Sequence, residues 1–222
     1  MKGIPNVGNT CYFNSVFQCL SRMSLVGSDV DPLAFLQSFR TRFSQFANNE
    51  PNDAQEALMC ILDPDPECIK GQMLQETICR GGKTVKTINT GIITLTSQKT
   101  LEESLKILVD WSAFSNFEDD DGKIWNVAAT RTIFSVFPKV LILTMNHKVN
   151  IKITETILGD RYHLCAAVVH FGTQNGGGHY CAVIKEDEKW YVLDDELCQE
   201  LAEGLPLEGG YDILFYSISS IE

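Results

Sequence analysis

The sequence predicts an α+β fold, with helices gathered in its first third and antiparallel strands in its last. Two patterns carry this. Apolar residues recur at helical spacing in three segments before residue 63, and beyond Phe137 they run in strand-length blocks bounded by polar turns. A chain of 222 residues with 44% hydrophobic content can bury the core of one such domain.

The first helix is expected to open at Cys11, because Val16, Phe17, Leu20 and Met23 share one face. Gly8 permits a sharp turn before it, and Asn9 or Thr10 can cap its first N–H groups. Asp31-Pro32 supplies a cap followed by proline at a first helical position. Leu33, Leu36, Phe39, Phe43 and Phe46 carry that second helix to about residue 47. In the third, Asn52 reads as the N-cap, with Gln55 completing a capping box. Ala54, Ala57, Leu58, Ile61 and Leu62 form its buried stripe, which leaves Asp53 and Glu56 together on another face. Residues 90–96 alternate enough for a strand, and Thr100-Leu101-Glu102-Glu103 opens a fourth helix with its own capping box. Strands follow at 140–145, 162–171 and 212–218, with a hairpin over 179–193 turning at Glu186-Asp187-Glu188. The acidic run from Glu118 to Gly122 reads as a solvated turn, since it lacks the ligand spacing of a calcium loop.

Nucleophile chemistry concentrates at the two ends. A thiol at the start of a helix feels the positive end of the macrodipole, so Cys11 is expected to ionise readily. Near the other end, three glycines precede His179 and leave its imidazole uncovered. Asp194 closes the second strand of the hairpin and can meet His179 across the ladder. A carboxylate that fixes the ring tautomer and a ring that takes the thiol proton make a nucleophile, base and orienter. His147 and His163 lack a glycine approach and a carboxylate strand, and His170 reads as a packed or surface ring.

Four segments then carry a resemblance. Residues 3–20 around Asn9-Thr10-Cys11-Tyr12, the box Asn52-Asp53-Ala54-Gln55-Glu56-Ala57-Leu58, the stretch Gly177-Gly178-His179-Tyr180 with Trp190 to Asp195, and Tyr211 to Tyr216 resemble the ubiquitin-specific protease family of cysteine deubiquitinases. The resemblance implies a papain-like fold with a helical thumb over 1–68, shortened fingers over 69–137 and a β palm over 138–222. It implies Cys11 as nucleophile, His179 as general base and acid, Asp194 as orienter and Asn6 as oxyanion donor, with Asp195 as a second candidate supporting that site. It also implies that Asp53, Gln55, Glu56, Gly177, Gly178 and Tyr180 hold ubiquitin's C-terminal tail, the carboxylates facing its arginines and the glycines leaving a narrow slot. Many members bind a structural zinc through two Cys-x-x-Cys pairs in the fingers. Here Cys79-Arg80-Gly81-Gly82 keeps one such cysteine and Asn126-Val127-Ala128-Ala129 none, so no metal and no cofactor are expected.

Composition narrows the partners. A net charge of −11 disfavours a nucleic acid and suits a basic partner such as ubiquitin. With no leader before the cysteine box and no membrane-length apolar run, a monomer in the cytoplasm or nucleus is expected, its eight cysteines reduced. Two other readings share these features: a protease for another Gly-Gly modifier, and a catalytically weak ubiquitin-binding module.

Overall fold

The computed structural model describes residues 2–27, 29–63, 66–172 and 178–218. The thumb contains α1 (Cys11–Arg22), α2 (Pro32–Arg42) and α3 (Ala54–Ile61), and α4 (Leu101–Val109) follows later. Strands run as β1 (Gly71–Cys79), β2 (Gly82–Thr90), β3 (Ile92–Leu95), β4 (Ser112–Phe114), β5 (Phe117–Glu118), β6 (Ile124–Trp125), β7 (Ala128–Val136) and β8 (Val140–Met145). They continue as β9 (Ile151–Lys152), β10 (Thr156–Ile157), β11 (Tyr162–Gly172), β12 (Gly178–Glu186), β13 (Lys189–Asp194), β14 (Leu197–Glu200), β15 (Glu208–Gly209) and β16 (Tyr211–Ile218). The expected α+β architecture is the observed one.

The palm sheet has the order β14-β13-β12-β11-β16-β8-β3, antiparallel except where β3 runs parallel to β8. Every residue of β8 is buried, as a near-continuous apolar run requires when both sheet faces are covered. One face packs against the thumb, where Tyr12, Phe13, Val16 and Leu20 of α1 meet Ala166, Val168, Ala182 and Phe215. The other packs against α4 through Leu101 and Leu105, with Leu141, Leu143 and Leu214. β12 and β13 turn through Asp187 and Glu188, both at positive φ, as a tight two-residue hairpin demands.

Helix termini follow local chemistry, with one change. Asp31 accepts from the N–H groups of Leu33 and Ala34 with Pro32 in the first turn, and Thr100 and Glu103 form their capping box. The cap of α3 is Asp53, not Asn52. Its Oδ1 accepts from Gln55 and Glu56 N–H, whereas Asn52 bonds back to the Glu50 carbonyl. α2 also stops earlier than its apolar spacing suggests. It ends at Arg42, and Phe46 reaches the core from a separate 3₁₀ turn.

The fingers form their own four-stranded sheet, ordered β2-β1-β7-β4. The sequence pattern revealed no hairpin at 71–90, because β2 reads Lys-Thr-Val-Lys-Thr-Ile-Asn with few apolar positions. Among the described residues no helix is long and apolar enough to cross a membrane.

Candidate active site

The turn before α1 delivers Cys11. Gly8 sits at φ +102°, a backbone conformation that side-chain-bearing residues rarely adopt, and Asn9 follows at +50°. The Asn6 side chain braces this turn, its Oδ1 accepting from Gly8 N–H at 3.2 Å and Thr10 N–H at 3.1 Å. Neither Asn9 nor Thr10 caps the helix; the Thr10 hydroxyl accepts from Val7 N–H instead. The N–H groups of Cys11 and Tyr12 are thereby left turned toward the Cys11 sulfur.

Cys11 is buried, and its burial corrects the expectation of a readily ionised thiol. Desolvation pushes its pKa up, outweighing the Tyr180, Tyr12 and Cys11 N–H groups that favour the thiolate, and the Asp195 charge raises it further. The resting group is a thiol, which needs a base.

The candidate base stands on β12. His179 Nε2 lies 2.5 Å from Asp194 Oδ1, joining the start of one hairpin strand to the end of the next. With Nε2 committed to the carboxylate, Nδ1 is the nitrogen left to exchange a proton with sulfur. The N–H of Tyr180, next in sequence, reaches the Cys11 sulfur, so β12 sets this segment against the nucleophile. The fold therefore sets Cys11 against the strand that carries His179, whose ring meets Asp194.

Asp195 is the hub that holds this arrangement together. Its two carboxylate oxygens accept from Asn6 Nδ2 and Asn14 Nδ2, each at 2.8 Å. Its carbonyl accepts from Ile4 N–H at 2.8 Å and Gln18 Nε2 at 3.0 Å. A side chain at Gly3 would overlap the Asp195 and Glu196 carbonyls, so the N-terminal segment docks as bare backbone. Asn14 and Gln18 were missed by sequence reasoning. The available signal was a pair of polar residues four apart on a helix whose other residues from 11 to 20 are buried.

The residues expected to hold a tail separate into groups. Asp53 stands at the thumb side with Oδ2 on Lys148 Nζ at 2.7 Å, and Lys148 also donates to the Tyr180 hydroxyl. Desolvation opposes ionisation of Asp53, but the Lys148 hydrogen bond and charge prevail and hold its pKa below the usual range. Glu56 is exposed on α3 beside it. Gln55 instead works inside the protein, its Nε2 donating to the Met145 carbonyl at 2.8 Å and to Asp212 Oδ1 at 2.7 Å. Burial pushes that Asp212 carboxyl up to about 6, and its Oδ2 has no partner. Gly177 lies outside the described residues. Gly178 is required by packing, because a Cβ there would collide with the His170 ring, which leans on Tyr180 at 4.7 Å.

The corner where the resemblance would place zinc-binding cysteines is filled differently. Cys79 pairs with both Gly82 and Ala128, so the two matching stretches do meet. The Trp125 ring covers the turn so closely that a Cβ at Gly81 would lie 2.3 Å from it. Asp119 accepts the indole N–H at 2.7 Å, which gives the acidic turn an anchoring role beyond simple solvation. One thiol among glycines and alanines does not fit a tetrahedral ion.

The profile described as ubiquitin carboxyl-terminal hydrolase matches residues 146–216, which include His179, Asp194 and Asp195. The matched stretch runs from β9 through most of β16. Cys11 lies outside the matched stretch, and the fold brings it there. Among solved structures, the SAGA Ubp8/Sgf11/Sus1/Sgf73 DUB module bound to ubiquitin aldehyde matches this chain with TM-score 0.79 and 17% identity, over 100% of this chain and 70% of the other. A substituted Ubp8 in the same module bound to monoubiquitin gives 0.80, 17%, 100% and 70%. The Ubp8-Sgf11-Sgf73-Sus1 module gives 0.74, 17%, 100% and 68%. At that identity the likeness establishes a shared fold.

Proposed function

We propose that this hydrolase is a deubiquitinating thiol isopeptidase that cleaves after the terminal Gly-Gly of ubiquitin. The observation that carries the reading is the 2.5 Å His179–Asp194 contact beside a buried thiol at a helix start. Cys11 attacks the carbonyl as its proton passes to His179, and negative charge develops on the carbonyl oxygen. Asn6 and the Cys11 N–H stabilise that charge. Asn6 is suited to this because Asp195 holds its amide and leaves a second N–H to donate. His179 then protonates the departing lysine amine, and water, deprotonated by the same ring, releases the acyl group.

The acidic side of the channel supports a basic tail. Glu56 is exposed on α3, while Asp53 is already paired, so a tail arginine would compete with Lys148 for its oxygen. The same reading carries a monomer in a reducing compartment, which light scattering of the purified protein and fractionation of cells would test.

Hydrolysis of a panel of modifier–fluorophore conjugates tests the function. Ubiquitin conjugate should be cleaved fastest, and Cys11→Ala should abolish turnover while ubiquitin still binds. A ubiquitin C-terminal electrophile should label wild type once, at Cys11. Preference for another Gly-Gly modifier would reassign the substrate, and no cleavage of any conjugate, or equal cleavage by Cys11→Ala, would end the enzymatic reading.

A further inference from the structure

The mechanism leaves one thiol beside the reacting groups without a task. Cys181 lies two residues beyond His179, so its side chain leaves the same face of β12, and it is buried. Its sulfur, a His179 ring nitrogen and an Asp194 oxygen all lie within 4.8 Å of one another. Among the described residues this is the one convergence of three such side chains.

We infer that His179, Cys181 and Asp194 form a binding site for a zinc-class divalent cation, and that its occupancy switches the catalytic centre off. The donors are one nitrogen, one sulfur and one oxygen, a set that suits a borderline-soft ion and disfavours magnesium or calcium. Ideal bonds of about 2.0–2.3 Å in a tetrahedron separate such donors by about 3.3–3.6 Å. The nitrogen–oxygen pair, now at 2.5 Å, must open by somewhat under an ångström, and the remaining pairs need close by no more than about 1.5 Å to reach that spacing. His179 and Asp194 are partly open to solvent, which provides the entry path.

Charge favours the ion as well. Burial first, and then the Asp194 and Asp195 carboxylates, hold the Cys181 thiol in its protonated form. A dication reverses that balance, because thiolate and carboxylate together neutralise it. On binding, the ion sheds water, the Cys181 proton passes to solvent, and the His179 Nε2 proton moves through solvent to Nδ1 as Nε2 exchanges its carboxylate hydrogen bond for a metal bond. No electrons are transferred, and one proton is released per ion. The imidazole then has no lone pair for the Cys11 proton. The inhibitory consequence rests on the hydrolase reading, whereas the site itself does not.

Cobalt titration of Cys11→Ala separates the two. This variant removes the nucleophile's sulfur, so metal capture at Cys11 cannot supply the signal. One equivalent of Co²⁺ should bind with a thiolate-to-cobalt charge-transfer absorption, and zinc should displace it. In Cys11→Ala/Cys181→Ala the band should vanish. In the active protein, Cys181→Ala should need at least about 10-fold more zinc for half-inhibition relative to its own metal-free rate, since a lost ligand costs no less than a lost outer-shell partner. Cys181→Ser preserves the packing if the alanine variant fails to fold, and should behave alike. Absence of the band in Cys11→Ala, its persistence in the double variant, or equal zinc sensitivity of Cys181→Ser and wild type would overturn the proposal. If no conjugate is hydrolysed, the hydrolase reading fails, and the cobalt measurement still decides the site.

Discussion

The palm and the fingers use the same antiparallel pairing but are held in opposite ways. In the palm, β8 buries all six residues, and apolar layers cover both faces. In the fingers, β2 exposes seven of its nine residues, and polar contacts do much of the joining. Glu76 of β1 is clamped by Lys83 of β2 and by Arg131 of β7 at 2.7 Å, and Thr77 bonds Thr130. A sheet fixed by dispersion and burial can hold reacting groups to tenths of an ångström. A sheet with an exposed outer strand, joined by polar pairs, is better suited to touching another protein. Substitutions in the palm should therefore alter chemistry or global stability, and those in the fingers should alter recognition.

The sharpest test of that division is Asp194→Asn, expected to lower kcat by about 10⁴ with little change in ubiquitin affinity, by analogy with the serine triad. Next is Asn6→Ala, expected to lower kcat by about 10²–10³ through loss of an oxyanion donor, read by steady-state kinetics against unchanged binding to a Cys11→Ala background.

Asp212→Asn probes the palm without touching the reacting groups. The folded carboxyl keeps its proton to about pH 6, whereas an unfolded aspartate loses it near 3.8. The folded state therefore binds more protons over that window, and wild-type stability falls as pH rises through it. The amide should remove this fall, raising stability at pH 8 by up to about 3 kcal/mol and changing little at pH 3. Denaturant melts at both pH values decide it; an equal effect at both would break the argument.

In the fingers, Trp125→Ala should loosen the β1–β2 turn by about 1–3 kcal/mol, seen as faster amide exchange there, and raise KM with kcat retained. A fall in kcat to match would mean that the two sheets are not independent. The smallest effect expected is from Lys148→Met, which frees the Asp53 carboxylate and should lower KM about twofold to fivefold, the scale of one partly exposed ion pair.

Legibility followed the same division. Palm strands were readable because burial on both faces forces apolar runs, and the starts of α2 and α4 because aspartate, proline and threonine act locally. β1 and β2 were not, since a strand whose partners supply polar contacts leaves no period to detect. In the site, Cys11, His179 and Asp194 were visible from their turn and strand contexts. The internal hydrogen bonds of Gln55 were hidden because its partners, Met145 and Asp212, are distant in sequence. The roles of Asn14 and Gln18 were hidden for the same reason: their hydrogen bonds end on Asp195. The raised pKa of Cys11 was equally out of reach, because packing sets its burial.

The Asp195 hub also has a temporal meaning. Synthesis makes the helix that carries Cys11 well before Asp195, the residue that seats Asn6 and Asn14. A nascent or truncated chain that stops short of it carries a sulfur with neither imidazole partner nor seated oxyanion donor. Such a chain is chemically silent. The seating of Asn6 and Asn14 thus waits for Asp195 to be made.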